Sequence, residues 1–245
     1  IKKKIIIHNH GYGIYYIIKK NSYLKKIFIE KKIINIILTN DLKEKFYKID
    51  KKLNTIIIKN FSTFKFSKKK KINKKLRILF FSNFMKEKGF ENFVKLAKLF
   101  PKFQFIICGG ENQWSKNILR ENFSPNINNL GFLSYKKKDV YWNSDIFIFP
   151  TYYKTEGVPI SLLDAMASSC AIITTFHNGI PETIGKSALY VKKKNFNDLK
   201  KKLKYLTLNN KTIKKIKKKS LEKFLLSKNS KINYLNTIEN LFKNY

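Results

Sequence analysis

The order of apolar runs along the chain constrains its fold more than any other feature of the sequence. Short runs rich in isoleucine and phenylalanine alternate with stretches in which apolar residues recur at helical spacing, as Phe90, Phe93, Val94 and Ala97 do. The short runs are almost continuously apolar, which is typical of parallel strands buried on both faces. Regular alternation of strand and helix therefore predicts an α/β protein with parallel sheets and helices on both faces.

The pattern predicts both sets of elements in detail. The predicted strands are Lys4–His10, Ile33–Thr39, Thr55–Lys59, Leu76–Phe81, Phe103–Cys108, Asn129–Leu133, Asp145–Phe149, Ala171–Thr175 and Ala188–Val191. The predicted helices include Tyr15–Glu30, Asp41–Tyr47, Gln113–Glu121, Tyr135–Asn143 and Pro159–Ser169. Ligands of parallel sheets bind beyond the carboxyl ends of the strands, so several of the loops that follow strands are expected at one rim. These loops follow His10, Phe81, Cys108, Phe149 and Thr175.

A lysine-rich stretch without periodicity divides the chain into two unequal parts. We predict a partial α/β domain over residues 1–68, a linker over 69–75 and a second, complete α/β domain over 76–228. The remaining residues, 229–245, are expected to form a helix that returns to the first domain.

The net charge of +36 raises the question of a polyanionic partner. Only Arg77 and Arg120 among the 52 basic residues are arginine, and lysine is abundant together with isoleucine, asparagine and phenylalanine. This bias is typical of A/T-rich coding, and a reader of nucleic acid would use more arginine, whose planar fork matches phosphates and bases. Nucleic acid is therefore disfavoured as a partner. An anionic membrane surface stays a candidate, because clustered lysines favour it by roughly 1 kcal/mol each.

Cysteine usage and apolar run length limit where the protein acts. Cys108 and Cys170 lie in apolar runs, which indicates a reduced chain without a disulfide framework. No apolar run approaches the roughly 18–20 residues that a membrane-spanning helix needs. We therefore expect a cytoplasmic protein, with the inner face of the membrane as a second possibility.

The densest group of chemically informative residues is TEGVPISLLDAMA, residues 155–167. Glu156 precedes a predicted helix, Pro159 suits its first turn, and Asp164 lies further along it. Free N–H groups at a helix start favour a phosphate, and a carboxylate on an apolar helix needs a partner such as a sugar diol. Taken singly, Glu156 could be a solvated loop acid and Asp164 an ion-pair or capping residue.

In these residues the chain resembles the retaining glycosyltransferases of the GT-B fold, group 1 or family 4, of the bacterial surface-polysaccharide type. The family signature is two acids separated by seven residues, which here are Glu156 and Asp164 in EGVPISLLDAMA. Four further segments are similar to family motifs. They are IIIHNHG at 5–11, ILFFSNFMKEKG at 78–89, IICGG at 106–110 and GIPE at 179–182.

The resemblance implies two Rossmann-like domains with parallel sheets. The first of them is incomplete here, because the family's first domain begins with further strands and a glycine-rich loop. We therefore expect the chain to be truncated at its N-terminus.

The resemblance also implies roles for particular side chains. Lys88 would hold the diphosphate and stabilise the leaving group, Glu156 would bind donor-sugar hydroxyls, and Asp164 would bind the ribose. His10 would face the anomeric carbon. His8 shares its strand face, so the two histidines remain alternatives, and His10 could instead be a satisfied strand histidine. Further substrate-binding positions are Asn83, Gly109, Gly110, Gly157, Val158 and Pro159.

The sequence departs from the family pattern at two of these positions. Asp164 is one methylene shorter than the usual glutamate, and Asn83 stands where many relatives carry a phosphate-binding arginine. Lys88 therefore has less cationic help at the diphosphate. The family pattern needs no metal or other cofactor, because basic side chains replace the metal.

The resemblance implies retaining transfer of a sugar from a nucleotide-sugar donor to a glycan or lipid-linked acceptor, in the synthesis of cell-surface polysaccharide such as lipopolysaccharide. One alternative is an inactive nucleotide-binding fragment or pseudo-transferase. The other is a basic binder of nucleic acid or a membrane surface, which would be indifferent to Glu156 and Asp164 and would bind with steep salt dependence.

Overall fold

The computed structural model describes residues 5–64, 75–133, 137–227 and 230–243. Within these ranges the chain forms two parallel sheets with helices packed against them, as the alternating pattern predicts. The linker expected over residues 69–75 lies outside the described residues apart from Lys75. The division of the chain at residues 68, 76 and 228 therefore stays a prediction.

The smaller sheet and its helices are built from the first part of the chain. Its elements are β1 (Ile5–His8), α1 (Gly13–Lys20), α2 (Ser22–Phe28), β2 (Ile33–Ile37), α3 (Asn40–Ile49) and β3 (Thr55–Ile57). The described strands run in the order β1-β2-β3, all parallel. Isoleucine dominates them, because a β-branched side chain suits a buried pleated surface. The central strand, β2, is buried along its whole length.

The single helix expected over residues 15–30 is wrong, because α1 and α2 are separate helices that meet at Asn21. The backbone of Asn21 is extended, and its side-chain oxygen accepts a hydrogen bond from the N–H of Leu24 at 3.0 Å. An asparagine at this position starts a new helix by satisfying an N–H group of its first turn. The spacing of apolar residues does not predict this break, because it is caused by the hydrogen bond of a single polar side chain.

The larger sheet follows from residue 77 onward. Its elements are β4 (Arg77–Phe81), α4 (Phe90–Leu99), β5 (Gln104–Cys108), α5 (Gln113–Glu121), β6 (Ile127–Asn129), α6 (Lys137–Trp142), β7 (Ile146–Phe149), α7 (Ile160–Ala167), β8 (Ala171–Thr175), α8 (Ile180–Ile184) and β9 (Leu189–Val191). The parallel strands lie in the order β6-β5-β4-β7-β8-β9. The chain moves outward from β4 in one direction and from β7 in the other. The strand order therefore reverses between these two neighbouring strands, and ligands of such sheets bind at the loops that follow them.

Two local expectations for this sheet differ from the structure. The strand expected at residues 129–133 ends at Asn129, whose side-chain oxygen accepts a hydrogen bond from the N–H of Gly131 at 2.9 Å. This bond and the φ of +60° at Gly131 turn the chain away from the sheet. Helix α8, which includes Pro181, was not expected, because its five residues are too few to show a helical period.

The end of the chain is helical and returns to the smaller sheet. The last helices are α9 (Phe196–Leu208), α10 (Asn210–Leu226) and α11 (Ser230–Lys243). Helix α10 packs against α7 and β8 of the larger sheet. Leu241 of α11 is buried in one cluster with Ile34, Ile36 and Ile58 of the first part. The two sheets are therefore joined both by the chain after β3 and by the last helix.

Candidate functional site

The loops after β4 and β7 are held together by backbone contacts. The 3-10 turn Lys86–Lys88 follows β4, and the carbonyl of Glu87 in this turn accepts a hydrogen bond from the N–H of Tyr152 at 2.7 Å. The hydroxyl of Thr151 contacts the same carbonyl at 3.3 Å. These bonds position Lys88 opposite the loop that carries Glu156.

Lys88 and Glu156 form a buried ion pair at this place. Their Nζ and Oε2 atoms lie 2.5 Å apart, and the hydroxyl of Thr151 donates to the same oxygen at 3.1 Å. Glu156 is only 8% exposed, so the alternative of a solvated loop acid does not hold. The ammonium also lies 4.6 Å from the ring centre of Tyr153. Burial of the pair strengthens the attraction between the two charges.

Two residues of the loop after β8 form hydrogen bonds with the loop that carries Glu156. His177 is buried, and its Nε2 lies 2.8 Å from the carbonyl of Tyr153. The side-chain amide of Asn178 donates to the carbonyl of Glu156 at 2.8 Å. Burial lowers the pKa of His177, the hydrogen bond to Tyr153 opposes this effect in part, and the neutral ring is favoured. Sequence reasoning did not identify this support, because the two loops are far apart along the chain and become neighbours through the parallel pairing of β7 with β8.

Asn83, Gly109 and Gly110 lie together at the ends of β4 and β5. Gly109 has a φ of +153°, and a Cβ there would lie 1.8 Å from the carbonyl oxygen of Ser82. Only glycine fits so close a contact between the two loops. The side-chain oxygen of Asn83 would lie 3.2 Å from a Cβ on Gly110, so the carboxamide borders the glycine turn. The structure therefore places these three predicted positions in one patch.

His10 and Gly157 meet where the two sheets face each other. A Cβ on Gly157 would lie 2.5 Å from the carbonyl oxygen of His10, and the N–H of Tyr12 donates to the carbonyl of Thr155 at 3.0 Å. Glycine at 157 is thus required by close backbone packing. The loop that carries Glu156 consequently rests against the carboxyl end of β1.

The two histidines of the first strand have different surroundings. Their rings lie 4.2 Å apart, and the His8 ring also lies 5.9 Å from that of Tyr234 in α11. Burial and the neighbouring His10 lower the pKa of His8. His10 is exposed, and its backbone borders Gly157. Of the two, His10 is the residue whose backbone lies against the Glu156 loop.

Val158 and Pro159 connect this loop to α7. The carbonyl of Val158 accepts a hydrogen bond from the side-chain amide of Asn60 at 2.8 Å, which ties the end of the first part to the larger sheet. Pro159 precedes the first helical residue, Ile160, and is extended with φ −63° and ψ 125°. The helix therefore begins one residue later than expected, and Pro159 fixes the direction in which the chain enters it.

Asp164 is buried on α7 but has other partners than Lys88 and Glu156. The hydroxyl of Ser62 donates to its Oδ1 at 2.6 Å, and Lys137 Nζ lies 2.5 Å from its Oδ2 as a close ion pair. Asp164 is 1% exposed. Within the described ranges it forms no hydrogen bond or ion pair with Lys88 or Glu156. The interpretation of Asp164 as an ion-pair residue therefore describes the structure as it stands.

Ser62, Phe64 and Lys137 were not predicted as part of the site. Phe64 is buried in the core of the larger sheet, and its ring centre lies 5.6 Å from that of Tyr141. Ser62 and Phe64 stand in a stretch without periodicity, and Lys137 is one of three consecutive lysines. The local sequence pattern does not distinguish these residues from solvent-exposed neighbours. They become part of the site only through tertiary contacts.

A cavity between the two sheets lies beside these groups, and Val158 borders it. It has a volume of about 400 Å³ and is bordered by Thr39, Asn60, Leu163, Met166 and Lys223. Neither Lys88 nor Glu156 nor Asp164 lines it. The charged groups described above, rather than this cavity, define the candidate site.

Among the described residues, no three side chains of the types that ligate metals come together. No helix in those same ranges is both long and apolar enough to cross a membrane.

Solved structures with the GT-B architecture superpose on nearly the whole chain. Sucrose-phosphate synthase from Thermosynechococcus elongatus matches with a TM-score of 0.81 and 15% identity, over 98% of this chain and 68% of that one. Anabaena Alr3699/HepE, crystallised with UDP and glucose, matches with a TM-score of 0.78 and 13% identity, over 97% of this chain and 71% of that one. At these identities the likeness shows the fold, and the expected GT-B type with parallel sheets is confirmed. The first sheet has three strands among the described residues.

A curated relative is similar in sequence over part of the chain. It is N,N'-diacetylbacillosaminyl-diphospho-undecaprenol alpha-1,3-N-acetylgalactosaminyltransferase of Campylobacter jejuni, 29% identical over 154 residues. The alignment covers 58% of this chain but only 38% of the relative's length.

The family model for glycosyl transferases group 1 matches residues 62–223. This range contains every candidate site residue except His10, and it covers more than half of the chain. The chain is a member of the group 1 glycosyltransferase family.

Proposed function

We propose that this chain acts in the transfer of a sugar from a nucleotide-sugar donor to a glycan or lipid-linked acceptor, with retention of the anomeric configuration. The observation that carries the proposal is the buried Lys88–Glu156 pair. It lies beyond the carboxyl ends of β4 and β7, where the strand order reverses, and its loop touches the backbone of His10. A donor in that position would lie between the two sheets.

Each charged group has a task that suits its surroundings. The Lys88 ammonium binds the donor diphosphate and stabilises the charge that develops on the leaving group. The Glu156 carboxylate accepts hydrogen bonds from hydroxyls of the donor sugar. Asp164 accepts the two ribose hydroxyls, and Asn83 with Gly109 and Gly110 borders the nucleotide. The backbone of Gly157 and Val158 and the start of α7 at Pro159 adjoin the sugar and phosphate.

The reaction requires no group beyond donor and acceptor. The bond between the anomeric carbon and the phosphate oxygen breaks, and a bond from the same carbon to the acceptor oxygen forms on the same face. The acceptor proton passes to the leaving phosphate, whose negative charge Lys88 balances. His10 lies on the first-sheet side of the reacting carbon and orients the donor sugar there.

The relatives guide the choice of acceptor and location. The Campylobacter jejuni relative is named for a diphospho-undecaprenol substrate, and HepE was crystallised with UDP and glucose. We extend both features to this chain: a nucleoside diphosphate donor and a lipid-linked acceptor in surface-polysaccharide synthesis. An acceptor of this kind places the protein at the cytoplasmic face of the membrane, where its lysines would favour anionic lipids.

A donor panel tests the proposal. Calorimetry with UDP, GDP and ADP shows which nucleotide binds, and incubation with the matching nucleotide-sugars shows hydrolysis or transfer, with the product anomer read by NMR. Glu156→Gln should reduce turnover by about a hundredfold or more. Glu121→Gln, which alters an exposed glutamate at the end of α5, is the matched control and should not. Binding without turnover would favour the inactive nucleotide-binding module, and absence of binding to every nucleotide would reject the proposal.

A further inference from the structure

Both oxygens of the Asp164 carboxylate are occupied by groups of the chain itself. Ser62 donates to one at 2.6 Å, and the Lys137 ammonium lies 2.5 Å from the other. The residue is 1% exposed, so these two groups and the surrounding protein cover the carboxylate. A ribose can therefore reach Asp164 only if one of these two groups leaves.

Of the two groups, Lys137 is the one built to move. It is the first residue of α6, and its side chain is 33% exposed, so a rotation takes the ammonium into water without unfolding the helix. Ser62 is anchored by its neighbour Phe64, which is buried in the core of the larger sheet.

Aromatic rings keep the ammonium near Asp164 when no ligand is present. Its Nζ lies 5.4 Å from the ring centre of Phe81, 5.6 Å from that of Phe64 and 5.9 Å from that of Tyr141. Rings at these distances attract a cation weakly and make no hydrogen bonds that would lock it. The Lys137 ammonium therefore neutralises the buried Asp164 carboxylate and can still be displaced by another donor.

We infer that Lys137 is a specificity-determining residue that closes Asp164 in the empty protein and is displaced by a ligand carrying a ribose diol. The inference rests on the proposed function and extends it. Two hydroxyl donors replace the ammonium at the carboxylate, and the ammonium is rehydrated. A nucleotide without both ribose hydroxyls cannot make this exchange and binds beside the intact ion pair.

The neighbouring lysine supplies a matched control. Lys138 is exposed, carries the same charge and lies 5.8 Å from the Phe64 ring, and it forms no ion pair with Asp164 among the described residues. Lys137→Met and Lys138→Met therefore remove the same charge from adjacent positions, and only the first frees Asp164. Lys137→Arg keeps the charge and offers the carboxylate a two-pronged donor that is harder to displace.

Calorimetry on the full chain decides the matter, with the nucleoside diphosphate that binds among UDP, GDP and ADP and with its 2′,3′-dideoxy counterpart. Lys137→Met should tighten binding of the ribonucleotide by about tenfold and leave the dideoxynucleotide unchanged. Lys137→Arg should weaken the ribonucleotide alone, and Lys138→Met should change neither.

Other outcomes would distinguish failure of the inference about Lys137 from failure of the proposed function. If Lys137→Met weakens both nucleotides equally, Lys137 is a phosphate contact and the inference is overturned while the proposed function stands. Unchanged binding of both by Lys137→Met and Lys137→Arg overturns it as well. If no variant binds any nucleoside diphosphate, the proposed function fails too. A lowered melting temperature of ligand-free Lys137→Met relative to Lys138→Met supports the closing ion pair without any nucleotide.

Discussion

At the scale of single residues, the two acids of the motif receive separate lysines. Glu156 is held by Lys88, from the loop after β4, and Asp164 by Lys137, at the start of α6. A buried carboxylate needs such a partner, because removing one member of the pair leaves the other charged and dry. The two acids lie on one short segment, but each depends on a lysine from a different part of the fold.

Lys88→Met should destabilise the protein by about 3 kcal/mol, because it leaves the Glu156 carboxylate buried without its cation. Adding Glu156→Gln to this variant should recover part of the loss. Urea denaturation of the two single variants and the double variant measures the coupling. Lys95→Met breaks the exposed pair between Lys95 and Glu91 and should cost at most about 0.5 kcal/mol. A similar loss in both lysine variants would contradict the buried role of Lys88.

Stability should fall as the pH falls from about 7 toward 5, because the pKa of His177 is lowered by burial. The unfolded chain takes up a proton near the ordinary histidine pKa of about 6.5, whereas the folded protein resists it, so protonation favours unfolding. His177→Gln should flatten this dependence in part, because the lowered pKa of His8 also contributes to it. Urea denaturation at several pH values checks it. An unchanged slope in this variant would show that His177 is not the group responsible.

At the scale of elements, the loop between β7 and α7 is bonded to three neighbouring parts of the fold. The N–H of Tyr152 donates a hydrogen bond to a carbonyl of the turn after β4. The side-chain amide of Asn178 donates to the carbonyl of Glu156, and that of Asn60 donates to the carbonyl of Val158. A loop fixed from three elements can hold an acid in one place without regular structure of its own. The direction of Glu156 thus depends on elements far apart in the sequence.

Gly157→Ala should weaken this arrangement, since a Cβ would lie 2.5 Å from the carbonyl oxygen of His10 and the backbones would have to separate. We expect a loss of about 2 kcal/mol in unfolding free energy and a fall in turnover. Gly13→Ala is the control, because a Cβ at the first residue of α1 meets nothing within 4 Å and should be neutral or stabilising. Equal effects of the two substitutions, measured by urea denaturation, would argue against close packing at residue 157.

At the scale of the whole molecule, α8 of the larger sheet holds the start of α3 beside the smaller one. The Glu182 carboxylate accepts hydrogen bonds from the N–H groups of Asn40 and Asp41 at 3.1 and 3.2 Å and from the Asn40 side chain at 2.9 Å. An acid at a helix start is favoured by the free N–H groups and the helix dipole. Here that acid comes from another part of the molecule and fixes how the two sheets face each other.

Glu182→Ala should loosen this contact without touching the donor site. We expect faster hydrogen exchange at the amides of Asn40 and Asp41 and slower sugar transfer, with an unchanged affinity for the nucleoside diphosphate. Glu121→Ala, at an exposed position, serves as control in both measurements. Loss of nucleotide affinity in Glu182→Ala would contradict a purely positioning role.

Much of the architecture could be predicted because its causes are local. The alternation of apolar runs indicates parallel strands and intervening helices, and the strand at Ala171–Thr175 and the helix at Gln113–Glu121 occur where expected. The exceptions have local but different causes. A single asparagine divides α1 from α2, and a glycine turn ends β6 early.

The sequence by itself determined the order of the elements, the family motif and the rim at which its acids lie. Only the tertiary structure decided that Lys88 pairs with Glu156, and that Ser62 and Lys137 close Asp164. The physical reason is distance along the chain. Burial and charge pairing bring together side chains that lie far apart in sequence. The periodicity of apolar residues predicts the secondary structure of one element and contains no information on its contacts with other elements.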